Sequence, residues 1–287
     1  MSRNPPPSPR TLLVLGRASN LPTVWSNCIA GWWLGGAGGS LALFQLCLGG
    51  TLLYLGGMYL NDAMDAAFDR QHRRERPIPS GAISEELVWQ IGSAMMAAGW
   101  LLLAAMGWDT ALLSTMLVGA ILLYDAVHKA VTFSPVLMAA CRFFLLLAAA
   151  STGIRGVTGL AIWNAFGLAG WIVGLSYVAR RESTTGRLQR WPLAALLMPV
   201  GFAALFNFGE WFPRAVIVGL ILVFWAAWCL RHTFAPAGRN LGLTVSGLLA
   251  GICLVDWLAV LPSPTEGAIF LGLFALSLFA QRFIPAT

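Results

Sequence analysis

The chain is 287 residues long, with 58% hydrophobic residues, only 10% charged residues and a formal net charge of +6. A soluble domain carries roughly 25% charged residues, so this composition excludes an ordinary water-soluble enzyme, a disordered chain, a nucleic-acid module and a disulfide-stapled secreted domain. The five cysteines all lie in apolar stretches, where a thiol behaves as a small hydrophobe, and neither a disulfide nor a metal–thiolate site is expected.

A hydrocarbon core of about 30 Å needs roughly 20 mostly apolar residues per crossing helix. Ten stretches qualify in chain order: 20–38, 41–61, 86–106, 110–127, 135–153, 159–179, 192–209, 214–231, 241–261 and 266–283. The pattern predicts an all-α, polytopic membrane bundle of nine or ten spans, because Pro262, Ser263 and Pro264 either separate two spans or kink one. Residues 1–19 read as a Pro-rich tail ahead of a single membrane domain from 20 to 287. The tail has neither the n-region nor the cleavage site of a removable signal.

Threading the spans back and forth puts fifteen of the eighteen basic residues on one side and only Arg155 and Arg214 on the other. Excess Lys and Arg marks the cytoplasmic side. The N-terminus and the loops after spans two, four, six and eight are therefore expected in the cytoplasm, most simply at a plasma or inner membrane. Anionic headgroups account for the net charge without a special partner. The remaining basic residue, Arg142, falls about two turns inside span five, where insertion costs about 2.5–3.5 kcal/mol. Both an anionic partner inside the bundle and a snorkelling structural role fit that position. Asp256 in span nine is expected to pair with a neighbouring helix.

Two polar loops on the basic side, 61–85 and 177–191, carry most of the chemistry-bearing residues. The first opens with Asn61, Asp62, Asp65 and Asp69, and Asp62, Asp65 and Asp69 at i, i+3 and i+7 share one helical face. Three like charges there call for a compensating cation, and Mg²⁺ typically links one or two carboxylates to phosphate oxygens. Four arginines and His72 follow Asp69 within seven residues and supply anion contacts. A solvated loop whose acids and bases merely pair is the competing reading, but such a loop has no reason to align every acid.

Asn61-Asp62-x-x-Asp65-x-x-x-Asp69 followed by Arg76-Pro77-Ile78-Pro79-Ser80-Gly81 resembles the first aspartate-rich motif of the UbiA superfamily of membrane prenyltransferases. Arg17 at the entry to the first span, Asn27 within it, Tyr124 and Lys129 at the end of the fourth, and the polar loop after the sixth extend the resemblance from residue 11 to about 261. The resemblance implies a helical bundle around a central cavity, in which Mg²⁺ and an isoprenyl diphosphate meet a hydrophobic, often aromatic, acceptor. It implies that Asn61, Asp62, Asp65 and Asp69 hold metal and diphosphate, that Arg76 and Lys129 neutralise the leaving group, and that Tyr124 lies near the reacting carbon. His128 is a candidate to shuttle the released proton, with a simple helix-end role as the alternative.

The second loop departs from the family pattern. Most members carry a second aspartate-rich motif there, whereas this chain has Tyr177, Arg180, Arg181 and, as its one acid from 177 to 186, Glu182. Glu182 is the candidate for a second metal, and Arg180 and Arg181 are candidates to contact the diphosphate in its place. Tyr177 is one of three tyrosines that lead into the polar loops, a position that also suits an interfacial belt. The stretch from Tyr124 to Arg142 is closer to a divergent, EboC-like branch than to the quinone-forming enzymes. A transporter-like or non-catalytic protein that binds a phosphorylated lipid is the alternative function.

Overall fold

In hydrocarbon every backbone N–H and C=O must be satisfied within its own segment or its immediate neighbours, which favours helices for these apolar runs. The computed structural model describes residues 7–180, 192–234, 240–261 and 263–286, and no strand occurs among them. The helices are α1 (Pro9–Leu15), α2 (Leu21–Leu34), α3 (Ser40–Met64), α4 (Ala66–His72), α5 (Glu85–Ala104), α6 (Trp108–Val127) and α7 (Ser134–Ser151). They continue with α8 (Gly159–Arg180), α9 (Pro192–Ala195), α10 (Met198–Phe206), α11 (Trp211–Phe234), α12 (Leu241–Ala250), α13 (Ile252–Val260) and α14 (Pro264–Ala280).

Every one of the ten expected apolar stretches is helical, but they are not equal. Seven segments among the described residues are long and apolar enough to cross a membrane: α3, α5, α6, α7, α8, α11 and the joined α12–α13. The other three, α2, α9–α10 and α14, are shorter, so the expected nine or ten full spans resolve into seven long and three short helical segments. A break at Gly251 separates α12 from α13. The Trp171 indole donates to the Leu248 carbonyl at 3.1 Å, the acceptor that the Ile252 amide would use in an unbroken helix.

Close packing depends on glycine. A Cβ at Gly56 would lie 2.9 Å from the Gly92 carbonyl, and one at Gly99 would lie 2.9 Å from the Gly49 carbonyl, so α3 and α5 touch backbone to backbone. The buried apolar side chains form two large clusters. One joins α2, α3, α5, α6 and α7, the other gathers α8 and α10–α13, and α2 and α7 contribute to both. The start of α2 and the C-terminal end of the described residues meet: Asn20 Nδ2 donates to the Ala286 carbonyl at 2.9 Å. They meet at the end of the bundle that also carries Arg17, Asp65 and Lys129, termed here the polar end.

Candidate active site

The acidic motif runs off the end of α3. Helical hydrogen bonding continues past its last residue, with the Asp65 amide on the Asn61 carbonyl and the Asp69 amide on the Asp65 carbonyl, both at 2.9 Å. The i, i+3, i+7 spacing therefore survives the slight break at Asp65, and all three carboxylates are buried at the polar end.

A cation from a different segment meets each acid. Arg17 Nη2 lies 3.2 Å from Asp62 Oδ1. Arg76 Nη1 bridges Asp62 Oδ1 at 3.0 Å and Asp69 Oδ2 at 3.2 Å. Lys129 Nζ lies 2.6 Å from Asp65 Oδ1, and His128 Nε2 lies 3.5 Å from Asp65 Oδ2. Burial alone would push the Asp65 carboxyl up, but hydrogen bonds from His128 and Lys129 outweigh it and hold the group below the usual carboxylate range. Burial would likewise pull His128 down, yet Asp65 holds it above an ordinary histidine.

Local structure explains how these cations arrive. Arg17 occupies the left-handed region at φ 42°, between α1 and the short turn 18–20, a strained conformation of the kind that clusters at functional sites. Arg76 heads a tight turn in which Gly81 takes φ 78°. Ile78 and Ile83 from that turn are buried with Leu15, Tyr59 and Val88. This small core folds the loop back over the acids, so only Arg76 among the loop arginines reaches them. Arg70 pairs with Glu85 instead, and Arg73, Arg74 and His72 are exposed.

The end of α6 forms the facing wall. Tyr124 stacks on His128 with ring centroids 5.0 Å apart, and Lys129 Nζ sits 4.0 Å above the Phe68 ring. Asp125, which sequence reading left without a role, is buried here and accepts from Asn61 Nδ2 at 3.0 Å. The signal that would have found it is an ionisable residue within a membrane helix.

Asn27 and Arg142 occupy a second cluster. Arg142 Nη1 donates to the Thr23 carbonyl at 3.0 Å and to Asn27 Oδ1 at 2.6 Å, and its Nη2 donates to Thr23 Oγ1 at 2.9 Å. Asn27 Nδ2 passes the contact on to Asp256 Oδ2 at 2.7 Å, and Ser26 also donates to that oxygen. The clusters adjoin through Tyr54, whose ring lies 5.9 Å from the Arg142 guanidinium and whose hydroxyl donates to the Arg17 carbonyl at 3.4 Å. Tyr177 is half-buried near the end of α8. Arg181 and Glu182 lie outside the described residues, as does the side chain of Arg180.

No three His, Cys, Asp or Glu side chains converge on one point among the described residues. Mg²⁺ does not require that, since it usually keeps waters and takes one or two carboxylates beside phosphate oxygens. The donors are hard oxygens, and Asp69 Oδ1 is buried without a partner. This donor set fits Mg²⁺.

The model of the UbiA prenyltransferase family matches residues 20–240. The chain belongs to that family. No curated protein matches it. Among solved structures, a digeranylgeranylglyceryl phosphate synthase aligns at 16% identity over 92% of this chain and 98% of its own, with a TM-score of 0.61. A UbiA homologue from Aeropyrum pernix K1, in its apo form, aligns at 17% identity over 93% of this chain and 97% of its own, with a TM-score of 0.52. At these identities the likeness is one of fold, and it extends over nearly the whole UbiA-type bundle.

Proposed function

We propose that this chain transfers an isoprenyl group from a prenyl diphosphate to a hydrophobic, lipid-soluble acceptor, with Mg²⁺ as cofactor and the reaction at the cytoplasmic end of the bundle. The fifteen-to-two distribution of basic residues supports that sidedness. The observation that carries the reading is the pairing of three buried carboxylates with Arg17, Arg76 and Lys129, each from a separate segment. A structural ion-pair cluster gains little from such burial, because desolvation offsets the attraction. A site that exchanges partners needs both signs in place before the ligand arrives.

Asn61, Asp62, Asp65 and Asp69 would hold the cation, which supplies charge neutralisation of the diphosphate when bound. Arg17, Arg76 and Lys129, released from their carboxylates, turn their N–H donors to the diphosphate oxygens and stabilise the negative charge that grows as the allylic C–O bond breaks. The Tyr124 ring, packed on His128, offers its face to the allylic carbocation. His128 is the candidate to take the proton that an aromatic acceptor loses. The isoprenoid tail lies among apolar helix faces.

The single acid in the second loop favours one other reading, a protein that binds a phosphorylated lipid without metal. Thermal stabilisation of purified protein by geranylgeranyl diphosphate separates the two, because a ligand of the native state raises apparent stability without any knowledge of the acceptor. The expected result is a shift that requires Mg²⁺ and disappears in Asp65→Ala. A shift that persists after chelation favours the lipid-binding reading, and no shift with any prenyl length overturns the proposal.

A further inference from the structure

We infer that Asp125 is a positioning residue for this site: its carboxylate fixes the Asn61 side-chain amide so that the amide oxygen is the end presented to a divalent cation. The inference rests on the proposed use of a prenyl diphosphate with Mg²⁺.

An asparagine amide has a donor end and an acceptor end, and a rotation of half a turn about its last side-chain bond exchanges them. A hard cation accepts only the oxygen end. Asn61 is buried at the last full turn of α3, next to Asp62, so the orientation of its amide decides whether it can serve as a ligand at all. Asp125 decides the orientation. The Asp125 Oδ1 accepts from Asn61 Nδ2 at 3.0 Å, so the nitrogen is committed to α6 and the oxygen is left for the ligand.

Two further observations separate this role from simple helix packing. Asp125 is only 4% exposed, and its second oxygen is buried with no hydrogen-bond partner. A neutral acceptor would serve an ordinary interhelical hydrogen bond at lower cost than a buried carboxylate. Beside a bound cation the carboxylate would add negative charge behind the amide, which strengthens the oxygen as a donor, as carboxylates behind metal-binding histidines do. Moreover, the same turn of α6 supports the motif a second time. His128 Nδ1 lies 3.2 Å from the Asp125 carbonyl, while its Nε2 faces Asp65. One turn of α6 thus orients both ends of the Asn61–Asp65 segment.

The test titrates Mg²⁺ at fixed geranylgeranyl diphosphate and reads the concentration giving half of the thermal shift, in wild type, Asp125→Ala, Asp125→Asn, Asn61→Ala and the Asn61→Ala/Asp125→Ala double variant. Asp125→Ala is expected to raise the midpoint about tenfold or more, the usual effect of losing an outer-shell partner. Asp125→Asn retains an oxygen that accepts from Asn61 but lacks the charge, and is expected to recover only part of the loss. In the Asn61→Ala background, Asp125→Ala is expected to add nothing, because a residue that acts through Asn61 has no route without it. If the alanine variant does not fold, Asp125→Leu, similar in shape and suited to a membrane helix, replaces it. A wild-type midpoint in Asp125→Ala, or an undiminished effect in the Asn61→Ala background, overturns the inference alone. A wild-type protein with no Mg²⁺-dependent shift overturns the functional proposal and this inference together.

Discussion

Arg76 is the residue on which the acidic motif closes, since one nitrogen spans Asp62 and Asp69. Among the described residues, replacing it by alanine leaves Asp69 with no basic partner and Asp62 with Arg17 alone, and hydrogen bonds to charged groups contribute about 1.5–3 kcal/mol each. Arg76→Ala is expected to lower the thermal midpoint of the ligand-free protein and to weaken geranylgeranyl diphosphate binding by about tenfold or more. Arg73→Ala, at an exposed position three residues earlier, is expected to change neither. Titration of both variants followed by thermal shift checks the ranking, and equal losses in the two would remove Arg76 from its assigned role. The sequence displays four arginines in this loop without distinguishing them. The distinction arises from the buried Ile78 and Ile83 and the left-handed Gly81, which curl the loop back by tertiary packing. The acids were legible because their spacing is a property of the helix itself, whereas Asp125 was not, because its meaning depends on which helix faces α3.

At the level of elements, α3 is both a membrane helix and the mount for Asn61, Asp62 and the following acids, so its contact with α5 sets the site as well as the fold. That contact is backbone on backbone: a Cβ at Gly56 meets the Gly92 carbonyl and the Met96 amide, both at 2.9 Å. Neither neighbour is a flexible side-chain tip, so even Gly56→Ala must move the helices apart. Forcing extra volume into a packed interface typically costs about 1–3 kcal/mol. Gly119 on α6 is the control, since nothing lies within 4 Å of a Cβ there. Thermal midpoints in detergent are expected to fall for Gly56→Ala and to stay level or rise for Gly119→Ala, where a helix gains from losing glycine. The apolar stretches announced the helices. The lengths were harder to foresee, because the break after α12, where an indole from another helix sits on the Leu248 carbonyl, lies in a tertiary contact that a single segment does not display.

Across the whole molecule, α2 and α7 belong to both apolar clusters, and the seam they form also carries a ladder of polar groups. Arg142 on α7 reaches Asn27 on α2, which in turn reaches Asp256 on α13. The sequence left Arg142 open to an anionic partner or a structural role and gave Asn27 only as part of the family resemblance; their hydrogen bonds give them a structural role that a mutational cycle can separate from substrate binding. Removing one charge of a buried network strands the other, whereas replacing both with apolar groups of similar size is often neutral or stabilising. If the ladder is structural, Arg142→Met and Asp256→Leu each lower the thermal midpoint, and the double variant recovers most of that loss. The double variant also retains the Mg²⁺-dependent shift with geranylgeranyl diphosphate, because Asp62, Asp65, Asp69 and Arg76 are untouched. A double variant that folds as well as wild type but has lost the shift would return Arg142 to the substrate site, reached from Arg17 past the Tyr54 ring that lies between them.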